Sequence, residues 1–389
     1  MGLTRALAHL AVNSTRVLIV EAPGHWLTRV ELEQQMALRG WHAAWTPANA
    51  DVLAVCGVPG PELAELAERL WEQMPGPRTR VDVASPTVVG SALEDAATLL
   101  LDTPYHRADA EERTQEPRIP KDHGQMDHEG MDHEGMDHEG MDHEGMDHEG
   151  MDHEGHGGHG GMDMAPAGIA LAQGGQDRDG LEMDVLHLPL GPVLPFWPAG
   201  LVLLCSLQGD VVVDAVASVV DGAGQAASSK EPQTPPVPAS AVRCDGVMAL
   251  LALAGADDAA ARARRARDAL VRGDQGAARD ALERLHRTVR RSWLLRWSLR
   301  GVLVLDQFDL ARHDLPEVCR GDAHDRLSSM VERLRSEVCG AAPVPEETGA
   351  VPWETMSHLV TGLELATVRL AVASLNLEPV STVQGVGNA

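Results

Sequence analysis

A tract rich in histidine and methionine divides this sequence into two parts that must fold on either side of it. Residues 121–164 include six tandem MDHEG units at 126–155 and hold nine of the 18 histidines and eight of the 15 methionines of the chain. The tract has 14 acidic residues against one basic residue. A segment so charged and so poor in apolar side chains other than methionine cannot bury a core. We therefore predict a disordered linker over residues 105–180, with no stable secondary structure in the tract before metal binds.

The overall charge and the cysteines limit the class of protein. The chain has 389 residues and a formal charge of −26, and the acidic excess outside the tract is spread as a solubilising surface, which argues against nucleic acid as a partner. Its five cysteines form no CxxC pair, so neither a disulfide framework nor a cysteine-built metal site is expected. No segment has the 18 or so apolar residues of a transmembrane span. We expect a cytoplasmic protein, or one that is peripheral on the cytoplasmic face of a membrane.

The N-terminal part alternates strands and helices. Residues 16–22, 51–57 and 79–83 are short apolar runs with β-branched residues, and helical periodicity follows the first two of them. Gly40 marks the end of the first helix, and Pro61 suits the first turn of the second. This alternation predicts a parallel, flavodoxin-like α/β sheet domain over residues 1–104.

The C-terminal part, residues 181–389, predicts a small β-hairpin element followed by an α-helical bundle. The run GLVLLCSLQGDVVVDAVASVV reads as two strands joined at Gln208-Gly209-Asp210, and residues 221–241 read as a second loop. Asp274 is a plausible N-cap, and Gly340 a plausible helix end. Apolar residues at helical spacing fall into two sets: Leu327, Met330, Val331, Leu334 and Val338, and then Met356, Leu359, Val360, Leu363 and Leu370.

The N-terminal part carries a phrase with a family resemblance. After the strand DVLAVCG, a turn and a helix lead to Trp71-Glu72-Gln73-Met74-Pro75-Gly76-Pro77-Arg78. This phrase resembles the small iron–sulfur subunit that NADH-quinone oxidoreductases and [NiFe] hydrogenases have in common, over roughly residues 16–100.

The C-terminal part resembles the partner of that small subunit. The segment LPLGPVLPFWPAGLVLLCSLQGDVV is similar to the opening of the large core subunit of NADH-quinone oxidoreductase and of the hydrogenase large subunit, where a Gly-Pro-x-His-Pro segment leads into a hairpin. Gly191, Pro192 and Pro195 match this segment, over residues 185–215. The resemblance implies that one chain fuses two core subunits in their usual order.

The sequence departs from both patterns at the residues that carry chemistry. Where the family has its first cysteine pair the chain reads Ala22-Pro23-Gly24-His25-Trp26, and after the fourth strand it reads Val83-Ala84-Ser85-Pro86. Leu194 replaces the quinone-site histidine, and no CxxC pair is present for a [NiFe] centre. We therefore expect no Fe–S cluster and assign no catalytic or cofactor-binding residue.

These departures indicate an accessory or structural subunit of a respiratory oxidoreductase complex like complex I or a hydrogenase, with other subunits of that membrane-associated complex as its partners. If the chain had an activity, the family would be NADH-quinone oxidoreductase. We predict that it is not catalytic alone.

The tract points to a different class of function. Imidazole suits Zn²⁺, Ni²⁺ and Cu²⁺, and thioether adds a preference for Cu⁺. The alternative function is therefore a transition-metal (Ni, Cu or Zn) binding, storage or delivery protein, against the simpler view that the tract is only a solvated acidic linker. The predicted ligands are His123, His128, His133, His138, His143, His148, His153, His156, His159, Met126, Met131, Met136, Met141, Met146 and Met151.

Three further features have a structural and a functional interpretation. His187 is expected to be half-buried with a backbone partner rather than to be a ligand. His25 and Trp26 are expected to shape the loop that replaces the cluster loop, with a contact role as the alternative. Trp293 and Trp297 lie with several arginines on one long predicted helix that could bind a membrane surface or an acidic partner, but a buried tryptophan stripe with an outer arginine face is the expected arrangement.

Overall fold

The first sheet is parallel and lies in the N-terminal part. The computed structural model describes residues 12–113, 173–176, 182–221, 237–340 and 351–377. The strand order is β2-β1-β3-β4, and Val17 of β1 lies opposite Val52 of β3 in parallel register. The strands are β1 (Arg16–Glu21), β2 (His42–Ala43), β3 (Val52–Cys56) and β4 (Thr79–Val83).

Helices cover both faces of this sheet because β3 is buried along its whole length and needs apolar contacts on both sides. The first and third helices share one core with the sheet, through residues such as Leu32 and Leu93. The second packs on the opposite face through Leu63 and Ala67. The helices are α1 (Trp26–Arg39), α2 (Pro61–Gln73), α3 (Val89–Leu100) and α4 (Thr103–Glu112).

Helix α4 begins where the sequence predicted a linker, so for residues 105–112 that prediction is wrong. The Asp102 carboxylate caps the helix by accepting from the Tyr105 amide at 3.2 Å. Asp109 then pairs with the buried Arg78 of the QMPxPR phrase, with 3.0 Å between Nη2 and Oδ1. These two contacts order a segment whose composition alone suggested a linker.

The second sheet is antiparallel and opens the C-terminal part. Its order is β5-β6-β7-β8, and a tight turn at Gly209 (φ +62°) connects β7 and β8 as the sequence predicted. On β7, Leu201, Leu203, Cys205 and Leu207 point into the bundle core. The strands are β5 (Gln173–Gln176), β6 (Glu182–Leu190), β7 (Leu201–Gln208) and β8 (Val211–Val219).

The rest of the described chain is helical. Asp274 and Gly340 cap helices as predicted: the Asp274 carboxylate accepts from the Ala277 amide, and Gly340 takes the left-handed conformation that ends a helix. The helices are α5 (Ala239–Leu253), α6 (Asp257–Val271), α7 (Gln275–Arg291), α8 (Trp293–Leu299), α9 (Gln307–Arg312), α10 (Ala323–Cys339), α11 (Met356–Leu359) and α12 (Leu365–Ser374). Within the described ranges, no helix is both long and apolar enough to cross a membrane.

The sequence predicted one long helix where the structure has α7 and α8. Ser292 interrupts the helix in an extended conformation, and its hydroxyl accepts from the Leu295 amide at 3.2 Å. The new direction of α8 buries Leu295 and Leu299 and leaves Trp293 and Trp297 exposed. The predicted buried tryptophan stripe is therefore wrong.

Candidate functional site

The two parts of the chain meet at a junction with an open cavity of about 200 Å³. One wall is formed by the carboxyl end of β1 and by α1, and another by the segment 192–199 and by α5. Most lining side chains are apolar, and Leu194 is among them. An apolar cavity with a few convergent charged groups is the usual form of a ligand site in proteins.

The segment 192–199 reaches the junction because of a tight connection between β6 and β7. Gly191 has φ +90°, and a Cβ atom there would lie 2.2 Å from the Leu201 carbonyl oxygen. The Trp197 indole N–H donates to that same oxygen at 2.8 Å. Only glycine fits this position, so the Gly-Pro element of the sequence directs the loop towards the first sheet.

Helix α1 supplies a second contact through its first residue. Trp26 follows the loop 22–25 directly and is 7% exposed. Its indole N–H donates to Asp245 Oδ2 of α5 at 2.9 Å. Trp26 therefore joins the two parts of the chain.

A group of buried charges forms one side of the cavity. Arg29 of α1 lies between three carboxylates, with 2.5 Å from Nε to Glu21 Oε2, 2.6 Å from Nη1 to Glu33 Oε1 and 2.5 Å from Nη2 to Asp245 Oδ2. Arg267 of α6 extends the network: its Nη1 lies 2.7 Å from Glu33 and 2.6 Å from Asp245. We call Glu21, Arg29, Glu33, Asp245 and Arg267 the junction cluster.

The electrostatics of the junction cluster divide its carboxyl groups into two kinds. Burial raises the pKa of Asp245 and of Glu33, but the adjacent arginines outweigh burial, so both pKa values end below their usual range. Burial dominates at Glu21, where the pKa is raised although Arg29 opposes it. Glu21 is thus the carboxyl group of this cavity wall that takes up a proton most readily.

Thiol chemistry is not favoured at the junction. Cys56 ends β3, and burial raises the pKa of its thiol far above the usual value, with Glu21 adding to the effect. Burial also raises the pKa of Cys244, on α5, to about 12. Both side chains therefore remain neutral thiols near neutral pH and pack as small apolar groups.

The predicted metal ligands, from His123 to His159 and from Met126 to Met151, lie outside the described residues. His187 is half-buried as expected, but its Nδ1 lies 2.9 Å from the side-chain Oγ of Ser206 across the β6–β7 pair, where a backbone partner was expected. Asp322, His324 and Asp325 present ligand atoms within 4.8 Å of one another. The two aspartates form the capping box of α10, so their proximity needs no metal ion to explain it.

Sequence reasoning did not find the junction cluster. Arg29 and Glu33 are four residues apart on a helix, which is the spacing of an ordinary surface ion pair. Arg267 belongs to an alanine- and arginine-rich run that resembles a solvated helix face. The sequence contains no local signal that these residues meet Asp245, which is 216 positions from Arg29.

Comparison with known proteins does not assign the chain to a family. No family model, no curated protein and no solved structure matches its sequence or its fold.

Proposed function

We propose that the chain is an accessory, non-catalytic subunit of a respiratory-type oxidoreductase complex, a single-chain counterpart of the small and large core subunits that it resembles. The observation that carries the proposal is the junction. The loop in place of the family's cluster loop, the Gly-Pro segment and Leu194 come together there from two distant parts of the sequence.

The topology of the first sheet supports this proposal. The order β2-β1-β3-β4 corresponds to the flavodoxin-like, doubly wound arrangement, in which ligands bind outside the carboxyl ends of the strands. Here the C-terminal part covers this edge: the Asp221 carboxylate accepts from the amides of Glu62 and Leu63 at 3.0 and 3.2 Å, beside the loop that follows β3. An interface between two subunits would occupy the same edge.

The residues at the junction support a structural role. The loop after β1 and the residues after β4 contain no cysteine, and a tetranuclear cluster needs thiolate ligands. Arg29 and Arg267 neutralise much of the buried negative charge, so the cluster joins the two parts instead of presenting a nucleophile.

Recovery of the complex from its native membranes tests this proposal. The chain is tagged at its natural locus, crosslinked, separated by native electrophoresis and identified by mass spectrometry. We expect comigration with subunits of a quinone- or hydrogen-linked oxidoreductase. A second experiment uses the purified chain alone. After anaerobic reconstitution with iron and sulfide, this chain should contain no stoichiometric acid-labile sulfide. Migration of the chain alone, or a brown protein with a cluster, would contradict the proposal.

A second function, transition-metal binding by the tract, is supported by ligand density. Each MDHEG unit offers an imidazole, a thioether and two carboxylates, and the units repeat every five residues. We propose that the tract binds several Ni, Cu or Zn ions per chain and that affinity falls as pH drops through about 6.5, because imidazole must be neutral to bind.

Calorimetric titration compares the full chain with a variant that lacks residues 126–159, at pH 7.5 and 5.5. We expect the deletion to remove most of the bound Zn²⁺, and the low pH to weaken what the full chain binds. Replacement of the nine histidines by serine should abolish Zn²⁺ and Ni²⁺ binding, whereas replacement of the six methionines by leucine should weaken only Cu⁺. Unchanged stoichiometry in the deletion variant would show that the tract is a linker.

A further inference from the structure

Helix α8 and the residues around it form an exposed aromatic and basic surface. Trp293 is 76% exposed, Trp297 is 74% exposed and Leu294 is 56% exposed. We call this region the Trp/Arg surface. Its apolar members are Trp293, Leu294, Trp297 and Val304, and its basic members are Arg290, Arg291, Arg296 and Arg300.

The local structure holds these apolar side chains away from the core. Leu295 and Leu299, four residues apart, fill the buried face of α8, so Trp293 and Trp297 share the opposite face. The helix ends at Leu299 with Arg300 as its C-cap, and Gly301, at φ +79°, lies in the turn that leads to the exposed Val304. Several large apolar side chains are thus exposed together, an arrangement that usually marks a binding surface.

The charge of this surface is opposite to that of the chain. Residues 284–305 contain six arginines and no aspartate or glutamate, in a protein of net charge −26. In the described part of the chain, Arg290, Arg291, Arg296 and Arg300 form no ion pair, whereas buried arginines such as Arg29 and Arg267 do. The four guanidinium groups therefore face solvent together with the aromatic side chains.

We propose that the Trp/Arg surface binds the headgroup region of an anionic lipid bilayer, so that the chain is a peripheral membrane protein. Tryptophan prefers the membrane–water interface, where its ring contacts acyl chains while its N–H stays hydrated. Arginine pairs with lipid phosphate in the same layer. A short helix with apolar tips and surrounding cations lies on a membrane rather than across it.

The composition favours lipid over a folded acidic protein as the occupant. The apolar side chains protrude from a convex helix and its following turn, and a bilayer accommodates such protrusions without a matching pocket. Because the chain as a whole has a net charge of −26, an anionic membrane favours the orientation that presents this basic surface. The proposal concerns lipid binding alone and stands independently of the proposed subunit role.

Vesicle sedimentation tests the proposal on the full-length chain. Sucrose-loaded vesicles of phosphatidylcholine with 30% phosphatidylglycerol are compared with vesicles of phosphatidylcholine alone. We expect cosedimentation with the anionic vesicles, a blue shift of tryptophan emission, and loss of binding when salt is raised to 1 M, because screening removes the electrostatic contribution. A chain that stays in the supernatant with anionic vesicles at low salt would overturn the proposal.

Two sets of variants locate the contact. The double variant Trp293→Ala/Trp297→Ala should lower the partition coefficient at least about tenfold, since membrane binding scales with inserted apolar area. Its control is Trp45→Ala, which removes a tryptophan that is 55% exposed on the N-terminal part. Equal losses of binding in the double variant and in Trp45→Ala would contradict the assignment of the contact to α8. Far-UV circular dichroism checks that each variant is folded.

Replacement of all four basic members by glutamine should lower binding by about 600-fold, since each of the four cations near an anionic surface contributes roughly fivefold. The matched control replaces four exposed arginines elsewhere, Arg69, Arg107, Arg265 and Arg279, and so makes the same change in net charge. Binding lost equally in both variants would show that net charge, and not this surface, attracts the chain, and would overturn the proposal.

Discussion

Two fully buried arginines, Arg267 and Arg326, are stabilised in opposite ways. Arg267 pairs with carboxylates, at 2.7 Å from Glu33 and 2.6 Å from Asp245. Arg326 has only neutral partners: it donates to Ser374 Oγ and to four backbone carbonyl oxygens, those of Val302, Leu303, Cys319 and Gly321, at 2.7–3.3 Å.

The electrostatics of the two sites follow from these partners. Burial lowers the pKa of Arg326 to about 10, and the nearby carboxylates of Asp322 and Asp325 offset only part of the effect of burial. Burial also acts on Arg267, but Glu33 and Asp245 outweigh it and raise the pKa above its usual value. Arg267 and Glu33 are 234 positions apart, whereas the carbonyl partners of Arg326 lie within 24 residues of it. The junction between the two parts is therefore held by ion pairs, and the bundle loops by hydrogen bonds.

The largest effect expected from this comparison is that of Asp245→Asn. This change keeps the size of the side chain but leaves Arg29 and Arg267 with less negative charge in a buried site. Removing one partner of a buried ion pair typically costs about 3–5 kcal/mol, and we expect a loss in this range in the free energy of unfolding. Urea denaturation followed by circular dichroism measures it.

A surface aspartate provides the control. Asp280 has a side chain that is 74% exposed and lies 3.9 Å from Arg284. Asp280→Asn should change the free energy of unfolding by less than about 0.5 kcal/mol. If the two variants are equally stable, the ion pairs of the junction do not hold the parts of the chain together.

The next effect is that of Arg326→Met, for which we expect a loss of about 3 kcal/mol. The substitution keeps an apolar stem but removes the donors to the bundle loops, and each buried acceptor left without a donor costs about 1 kcal/mol or more. The loss should be limited because two of these acceptors keep another donor. The Gly321 carbonyl oxygen also accepts from the Leu305 amide, and the Val302 carbonyl oxygen also accepts from the Ala323 amide.

The pH dependence distinguishes this variant from the junction variants. Because the hydrogen-bond partners of Arg326 are neutral, most of the loss in Arg326→Met should remain at pH 4. The exposed-arginine control Arg279→Met should be close to the wild type at both pH values. A loss that mostly disappears at pH 4 would indicate that the carboxylates of Asp322 and Asp325, and not the hydrogen bonds, stabilise Arg326.

The comparison also shows how far the sequence predicts this structure. Strand β4 at Thr79–Val83 and the caps at Asp274 and Gly340 follow from local chemistry, because an apolar run, a carboxylate acceptor and a glycine act on residues nearby. The break at Ser292 was missed because the residues on both sides have helical periodicity, and the break depends on one hydroxyl cap.

The candidate site was predictable only in part. The sequence analysis singled out Leu194 and Trp26 without giving either a role in a site, and both line the cavity. Nothing local marks Asp245 or Arg267, since a buried ion pair between distant helices is set by tertiary packing. The partners of such charges can be read only from the folded chain.

A smaller effect, which tests the ionic junction more sharply, is the change in the free energy of unfolding at acid pH. The pKa values of Asp245 and Glu33 are lowered because their arginine partners outweigh burial. Their ionised forms therefore stabilise the folded chain above the ordinary carboxyl pKa values, and this contribution is lost as pH falls from about 5 through the lowered values. The gap in free energy of unfolding between wild type and Asp245→Asn should shrink by about 1 kcal/mol between pH 6 and pH 3, where the unfolded chain begins to bind the Asp245 proton.

Urea titrations at several pH values measure this gap. Arg326→Met should run parallel to the wild type over the same range. A gap for Asp245→Asn that stays constant down to pH 3 would show that Asp245 acts through hydrogen bonding and packing rather than through its charge.

The smallest effect, with the opposite sign, is expected from Glu21→Gln. Burial raises the pKa of Glu21, so the folded chain binds this proton more tightly than the unfolded chain, and the ionised form costs stability at neutral pH. Glutamine is neutral at every pH, and its amide oxygen can still accept from Arg29 Nε. We expect the variant to gain about 1 kcal/mol in free energy of unfolding at pH 7. The gain should disappear below pH 4.5, where Glu21 of the wild type is protonated in both states.

Glu33→Gln is the matched control in the same cluster: its parent carboxyl has a lowered pKa, so the same substitution should destabilise the chain at pH 7 and become harmless in acid. If both substitutions destabilise at pH 7, then Glu21 is held as an ion pair like its neighbours, and the cavity wall contains no carboxyl group that is readily protonated.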